Sequence, residues 1–147
     1  GTPVRQAGAM LDADVPHMCQ YFTVDDLNFL KRSGRVSGAT AMIGTVLNIK
    51  PILYGTADGH IVSCGKVRGR KKAIEALAQV YAEKQVDAGN RIVAISHGDC
   101  PEDARVLAER VKAIAAPGEL ILVPHEPFSG AHVGPGMLAL FFYGKER

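Results

Sequence analysis

The sequence predicts an α/β fold, a mixed β-sheet with helices packed on it. Three observations carry this. RKKAIEALAQVYAEKQV puts Ile74, Leu77, Ala78 and Tyr81 on one stripe with charges opposite, the pattern of an amphipathic helix. PEDARVLAERVKAIA lies between the apolar runs RIVAIS and ELILVP, the order of a βαβ connection. IKPILYGT and HIVSCGKV flank Asp58-Gly59, a strong hairpin turn signal, so the sheet is mixed rather than purely parallel.

The first twenty residues, interrupted by Pro3 and Pro16, are weakly patterned and read as a linker or the remnant of an amino-terminal domain. YFTV then reads as a short strand. DDLNFLKR offers two acids at a helix start, Leu27 and Leu30 on one face, basic residues at its end and Gly34 as its stop. Ser37 caps a further helix to Leu47, on which Ala39, Met42, Ile43 and Val46 recur at helical spacing. Pro51 cannot donate to a ladder, so its strand lies at an edge or starts there. In the helix that begins at Pro101, the expected inner face carries Ala104, Leu107, Val111 and Ile114. ELILVP reads as a buried strand, EPFSGAHVGPG as a glycine-rich loop and MLALFFYG as a last apolar strand.

The composition narrows the function. With 147 residues, 47% of them hydrophobic and 22% charged, the chain suits one core and is too short for two. No stretch approaches the ~20 apolar residues of a membrane helix. A formal net charge of +2 gives no strong global pull toward nucleic acid or anionic lipid. Cys19, Cys64 and Cys100 lack C-x-x-C spacing, which argues against a disulfide framework or a zinc site. No signal segment opens the chain, and the expected location is the cytoplasm.

Several residues could carry chemistry. KVRGRKK sets five positive charges in seven positions, Lys66 to Lys72. It reads either as a solvated strand end and helix start or as a docking strip for an acidic partner or phosphate. Cations at a helix start oppose its dipole by ~0.3–1 kcal/mol each, and this small penalty leans toward use. SGAHVGPG sets Gly130, Gly134 and Gly136 around His132. Such a loop can press backbone N–H groups against a ligand while the imidazole donates to an anion. It reads equally as a sharp turn with an exposed histidine. Arg35, beside a helix start, reads as an anion contact or as a surface residue. His97, Asp99 and Asp103 have weak metal-ligand spacing that helix capping explains as well. His125, Glu126 and Ser129 suggest a hydrolase triad only by proximity, without a G-x-S-x-G elbow.

YFTVDDLNFLKRSGRVSGATAMIGTVLNIKPIL, GKVRGRKKA, VAISHGDCPEDA and GAHVGPGMLALFFYGKER, in that order, resemble the carboxy-terminal half of the DegV family from Tyr21 to Arg147. The resemblance implies a DegV-type carboxy-terminal domain over residues 21–147, with residues 1–20 as linker or remnant of a missing amino-terminal domain. It implies a non-catalytic carrier that holds a long-chain fatty acid between two domains. Such a carrier presents the carboxylate to a separate fatty acid kinase, which forms acyl-phosphate for phospholipid synthesis. His132, with Gly130, Ala131 and Gly134, and Arg35 would lie near the head group, while Met42, Ile43 and Val46 line the acyl chain. Lys66, Arg68, Arg70 and Lys71 would dock the kinase. No cofactor, metal, nucleic-acid partner or stable membrane insertion is implied.

Ser33 stands where the family commonly has a glycine, a mild departure. The missing domain would supply hydroxyls for the carboxylate, so one half is expected to bind fatty acid weakly and to self-associate through exposed apolar surface. The physics agrees: ~15 methylenes are worth ~12 kcal/mol of gross transfer, realised only when the tail is enclosed and its carboxylate paired. Two readings from other classes remain, a small hydrolase or phosphotransferase using His132 or His97, and an RNA-binding module on residues 66–72.

Overall fold

The computed structural model describes residues 1–34 and 48–147. Arg35, Met42, Ile43, Val46 and the expected Ser37–Leu47 helix lie outside the described residues. The elements are α1 (Val4–Asp14), a short 3-10 turn (Val15–His17), β1 (Met18–Thr23), α2 (Leu27–Arg32), β2 (Ile49–Gly55) and β3 (Ile61–Arg68). After these come α3 (Arg70–Lys84), β4 (Ile92–His97), α4 (Pro101–Ile114), β5 (Glu119–Pro124), α5 (Pro127–Val133) and β6 (Leu138–Tyr143). One six-stranded sheet runs β3-β2-β1-β6-β4-β5. Its described pairs are antiparallel except β4–β5, which are parallel and joined through α4. The mixed α/β sheet expected from the sequence is the observed fold.

Strand alternation gives the sheet two different faces. On one, Cys19, Tyr21, Ile52, Val93, Ile95, Leu138, Leu140 and Phe142 meet the buried stripes of α3 and α4. Tyr81 of α3 sets its ring edge-on to Phe142 at 5.2 Å and donates to the Ala115 carbonyl at 2.8 Å, so its hydroxyl is buried with a partner. Burial is also the main reason Tyr21, which stacks on Tyr54 and Phe142, has its pKa pushed up to about 12. On the other face Leu53, Met137 and Ala139 meet Leu30 of α2 and Val133 of α5, with Phe22, Ile61 and Phe141 half-buried beside them.

The structure refines several of these expectations. Residues 4–14 form a helix, though one with no buried residue, and β1 begins at Met18, three residues before YFTV, with Cys19 in the core. Strand β2 is interior, but its pairing with β1 is described only at Leu53 and Tyr54, and Pro51, near the strand's start, is asked for no bond there. Strand β5 is an edge, with Leu122 and Val123 exposed, because nothing pairs beyond it among the described residues. Ile114, at the end of α4, is exposed rather than inward. EPFSGAHVGPG is not all loop. Pro127 takes the first helical position, and the Glu126 carboxylate accepts from the N–H groups of Phe128 and Ser129, which caps α5.

Candidate functional site

The second face holds an open cavity of about 230 Å³. Its floor follows from register. Gln20 and Phe22 of β1 stand opposite Phe141 and Ala139 of β6, so alternate residues of two neighbouring strands line one surface. Met137 and Ile61 extend that floor, and α5 forms a wall with Val133 and Ser129, one turn apart. His125 completes the lining. The surface is largely apolar, with the Gln20 amide on the floor and the other polar groups gathered at the start of α5.

Those polar groups form a chain. Ser96 of β4 lies opposite Ala139 of β6 and is buried, and its Oγ is 2.7 Å from His125 Nδ1. His125 Nε2 is 2.6 Å from Ser129 Oγ, which also bonds the Glu126 carboxylate. That hydroxyl is the leading reason the Glu126 pKa is lowered. An ionised carboxylate can only accept, so Ser129 donates to Glu126. Nε2–H then donates to Ser129, and with the imidazole neutral its Nδ1 accepts from Ser96. In this arrangement His125 offers Ser129 a donor where a nucleophilic serine needs a base. The triad suggested by proximity is therefore assembled in space but polarised the wrong way.

The expected head-group residues that the structure describes, His132, Gly130, Ala131 and Gly134, lie beside the cavity rather than in its lining. His132 sits on α5 instead of in a loop, half-buried, with its ring edge-on to Phe128 at 5.8 Å and no hydrogen bond to another described residue. Ala131 is exposed and Gly130 half-buried, and neither lines the cavity. Gly134 and Gly136 permit close approach, but to the protein itself. Both have positive φ, and a Cβ would lie 2.5 Å from the Phe29 ring at Gly134 and 2.6 Å from the Asp25 carboxylate at Gly136. His97 is held by its surroundings, its Nδ1 accepting from the Cys100 N–H at 3.3 Å. Among the described residues no three acidic, histidine or cysteine side chains gather as metal ligands.

The basic strip divides in two. Lys66 and Arg68 point out of edge strand β3, and Lys71 is exposed at the start of α3. Arg70 turns inward. Its Nε donates to Asp103 at 2.8 Å, and its guanidinium also reaches the Gly136 carbonyl at 2.7 Å and Cys100 Sγ at 3.2 Å, with Asp25 at 3.5 Å. It ties α3, α4 and the loop before β6, so it is corrected from docking cation to internal clasp. Its carboxylate partners also answer the unfavourable helix dipole noted above.

Fold and site together define an α/β domain with an apolar, one-sided cavity on the less covered face of its sheet. The chain belongs to the DegV family: a family model described as "Uncharacterised protein, DegV family" matches residues 1–145. A DegV domain-containing protein of Clostridium perfringens is 35% identical over 147 residues, 100% of this chain and 50% of that protein. A DegV-family protein of Ruminococcus gnavus, solved with vaccenic acid, superposes with a TM-score of 0.88 at 27% identity, covering 96% of this chain and 50% of that one. DegV of Bacillus subtilis, described as a fatty acid binding protein, superposes with a TM-score of 0.77 at 32% identity, covering 97% and 50%. The chain spans about half the length of the relatives it matches.

Proposed function

We propose that this chain forms one wall of a long-chain fatty-acid site and acts as a carrier domain rather than as a catalyst. The observation that carries this is the apolar cavity on the second face. At about 230 Å³ it falls below the ~300–1,000 Å³ of a complete small-molecule pocket, as expected of half an enclosure. The fatty acids named for the solved relatives support the ligand class. His132, at the flank of the cavity with no hydrogen bond to another described residue, serves as head-group contact, and Arg35 is its expected companion. Met42, Ile43 and Val46 are expected along the tail.

Presentation of the carboxylate to a separate kinase is the mechanism proposed here. Of the four residues expected to dock the kinase, Lys66, Arg68 and Lys71 are exposed and make up the docking strip. Exposed Leu122, Val123 and Phe128 support self-association of the chain by itself.

Calorimetric titration of the delipidated chain with oleate tests the wall. Binding is expected in the micromolar range or weaker, because a tail left half in water forfeits much of its transfer energy. Submicromolar binding would refute the half-site. His132→Ala should keep the fold and reduce phosphorylation of the bound acid by the partner kinase, and unchanged phosphorylation would remove His132 from the head-group role.

A further inference from the structure

The cluster at the start of α5 borders the cavity yet has no part in the carrier reading. With Glu126 ionised and the imidazole neutral, Ser96 donates to His125, His125 to Ser129, and Ser129 to Glu126. Every proton of the chain is committed inward. What remains toward the cavity, where His125 and Ser129 form the lining, is acceptor capacity on Ser129 Oγ beside an anionic carboxylate. Such a site repels the carboxylate of a fatty acid and offers it no donor. The anionic end must therefore lie elsewhere, in keeping with His132 on α5, which makes no hydrogen bond to another described residue.

A hydroxyl on the ligand is different, since it brings the one thing the cluster lacks, a proton to donate. In an apolar cavity an unpartnered hydroxyl weakens binding, whereas one that meets an acceptor offsets its desolvation. A plain methylene chain leaves the internal chain of bonds intact and is tolerated.

We propose that Ser129, held by His125 and Glu126, is a specificity point that accepts a hydrogen bond from a hydroxyl carried on the acyl chain, so that the cavity prefers hydroxylated over plain acyl ligands. This rests on the acyl-site reading and adds the substrate subclass.

The test uses medium-chain acids, which dissolve at the millimolar concentrations that a one-walled site requires. The 15N-labelled chain is titrated with decanoate and, separately, with each monohydroxydecanoate isomer, following the amide signals of Ser129, Val133 and Ala139. At least one isomer is expected to bind about two- to ten-fold more tightly than decanoate, the equivalent of one net hydrogen bond. Ser129→Ala should abolish that advantage, so that the hydroxylated isomer binds no more tightly than decanoate to the same variant, and Ser129→Thr, which keeps a hydroxyl, should retain it. If no isomer outbinds decanoate, or the advantage survives in Ser129→Ala, the specificity point is overturned and the acyl site stands. If neither acid shifts the cavity signals, the acyl-site reading falls and takes this inference with it.

Discussion

The two faces of the sheet are built from the same six strands and treated differently. One is covered by two long amphipathic helices, whose stripes bury Leu77, Tyr81, Leu107 and Val111 against β6, β4 and β1. Among the described residues the other is met by the short helices α2 and α5, and between α5 and the β1–β6 floor lies a cavity. Stability is concentrated where side chains interdigitate, and recognition where they fail to close. A single alternating strand serves both. In β6, Leu138, Leu140 and Phe142 complete the core while Ala139 and Phe141 line the cavity.

The sharpest way to break this contrast is to weaken the covered face. Leu107→Ala removes a fully buried side chain from the α4 stripe and should lower unfolding free energy by about 3 kcal/mol in urea denaturation, leaving decanoate binding by the folded fraction unchanged. A loss below about 1 kcal/mol would mean the two faces are equally loose. Arg70→Met should cost about 2 kcal/mol, since Asp103 and the Gly136 carbonyl lose a charged donor. If Arg70 were a docking cation instead, that variant would keep its midpoint and lose only the partner.

Phe141→Ala sharpens the contrast from the other side. The ring is half-buried, so the expected stability loss is about 1 kcal/mol, but acyl ligands should bind several-fold more weakly. The smallest effect concerns acid. The Glu126 pKa lies below its ordinary value of 4.5, so the carboxylate stabilises the start of α5 fully above that pH, and the contribution fades as pH falls through the lowered pKa. Amide exchange at Phe128 and Ser129 should quicken below about pH 4.5 while amides of α3 hold. A Glu126→Gln variant should flatten that response.

Particular residues show what was legible and what was not. The α3 stripe, the Asp58-Gly59 turn and the βαβ unit through α4 are local patterns, and the structure keeps them. ELILVP looks as buried as RIVAIS, because composition cannot tell an edge strand from one paired on both sides. Helix α5 hides in a segment with three glycines and two prolines, although Glu126-Pro127 with Ser129 two residues on was a helix-start signal. His125 and Ser129 were noticed as a triad by proximity, while Ser96, which decides the direction of the protons, lies 29 residues away from His125 and carries no mark in the sequence.

By itself the sequence determined the order of β2, β3, α3, β4, α4, β5 and β6, the buried stripe of α3 and the family, since periodicity, turns and ordered motifs depend on neighbours along the chain. Only the tertiary structure decided that Arg70 faces inward, that His125 donates rather than accepts toward Ser129, and which side chains share the cavity. Each of these depends on groups brought together across strands and helices, where the energy of a pairing is invisible until its partner's position is known.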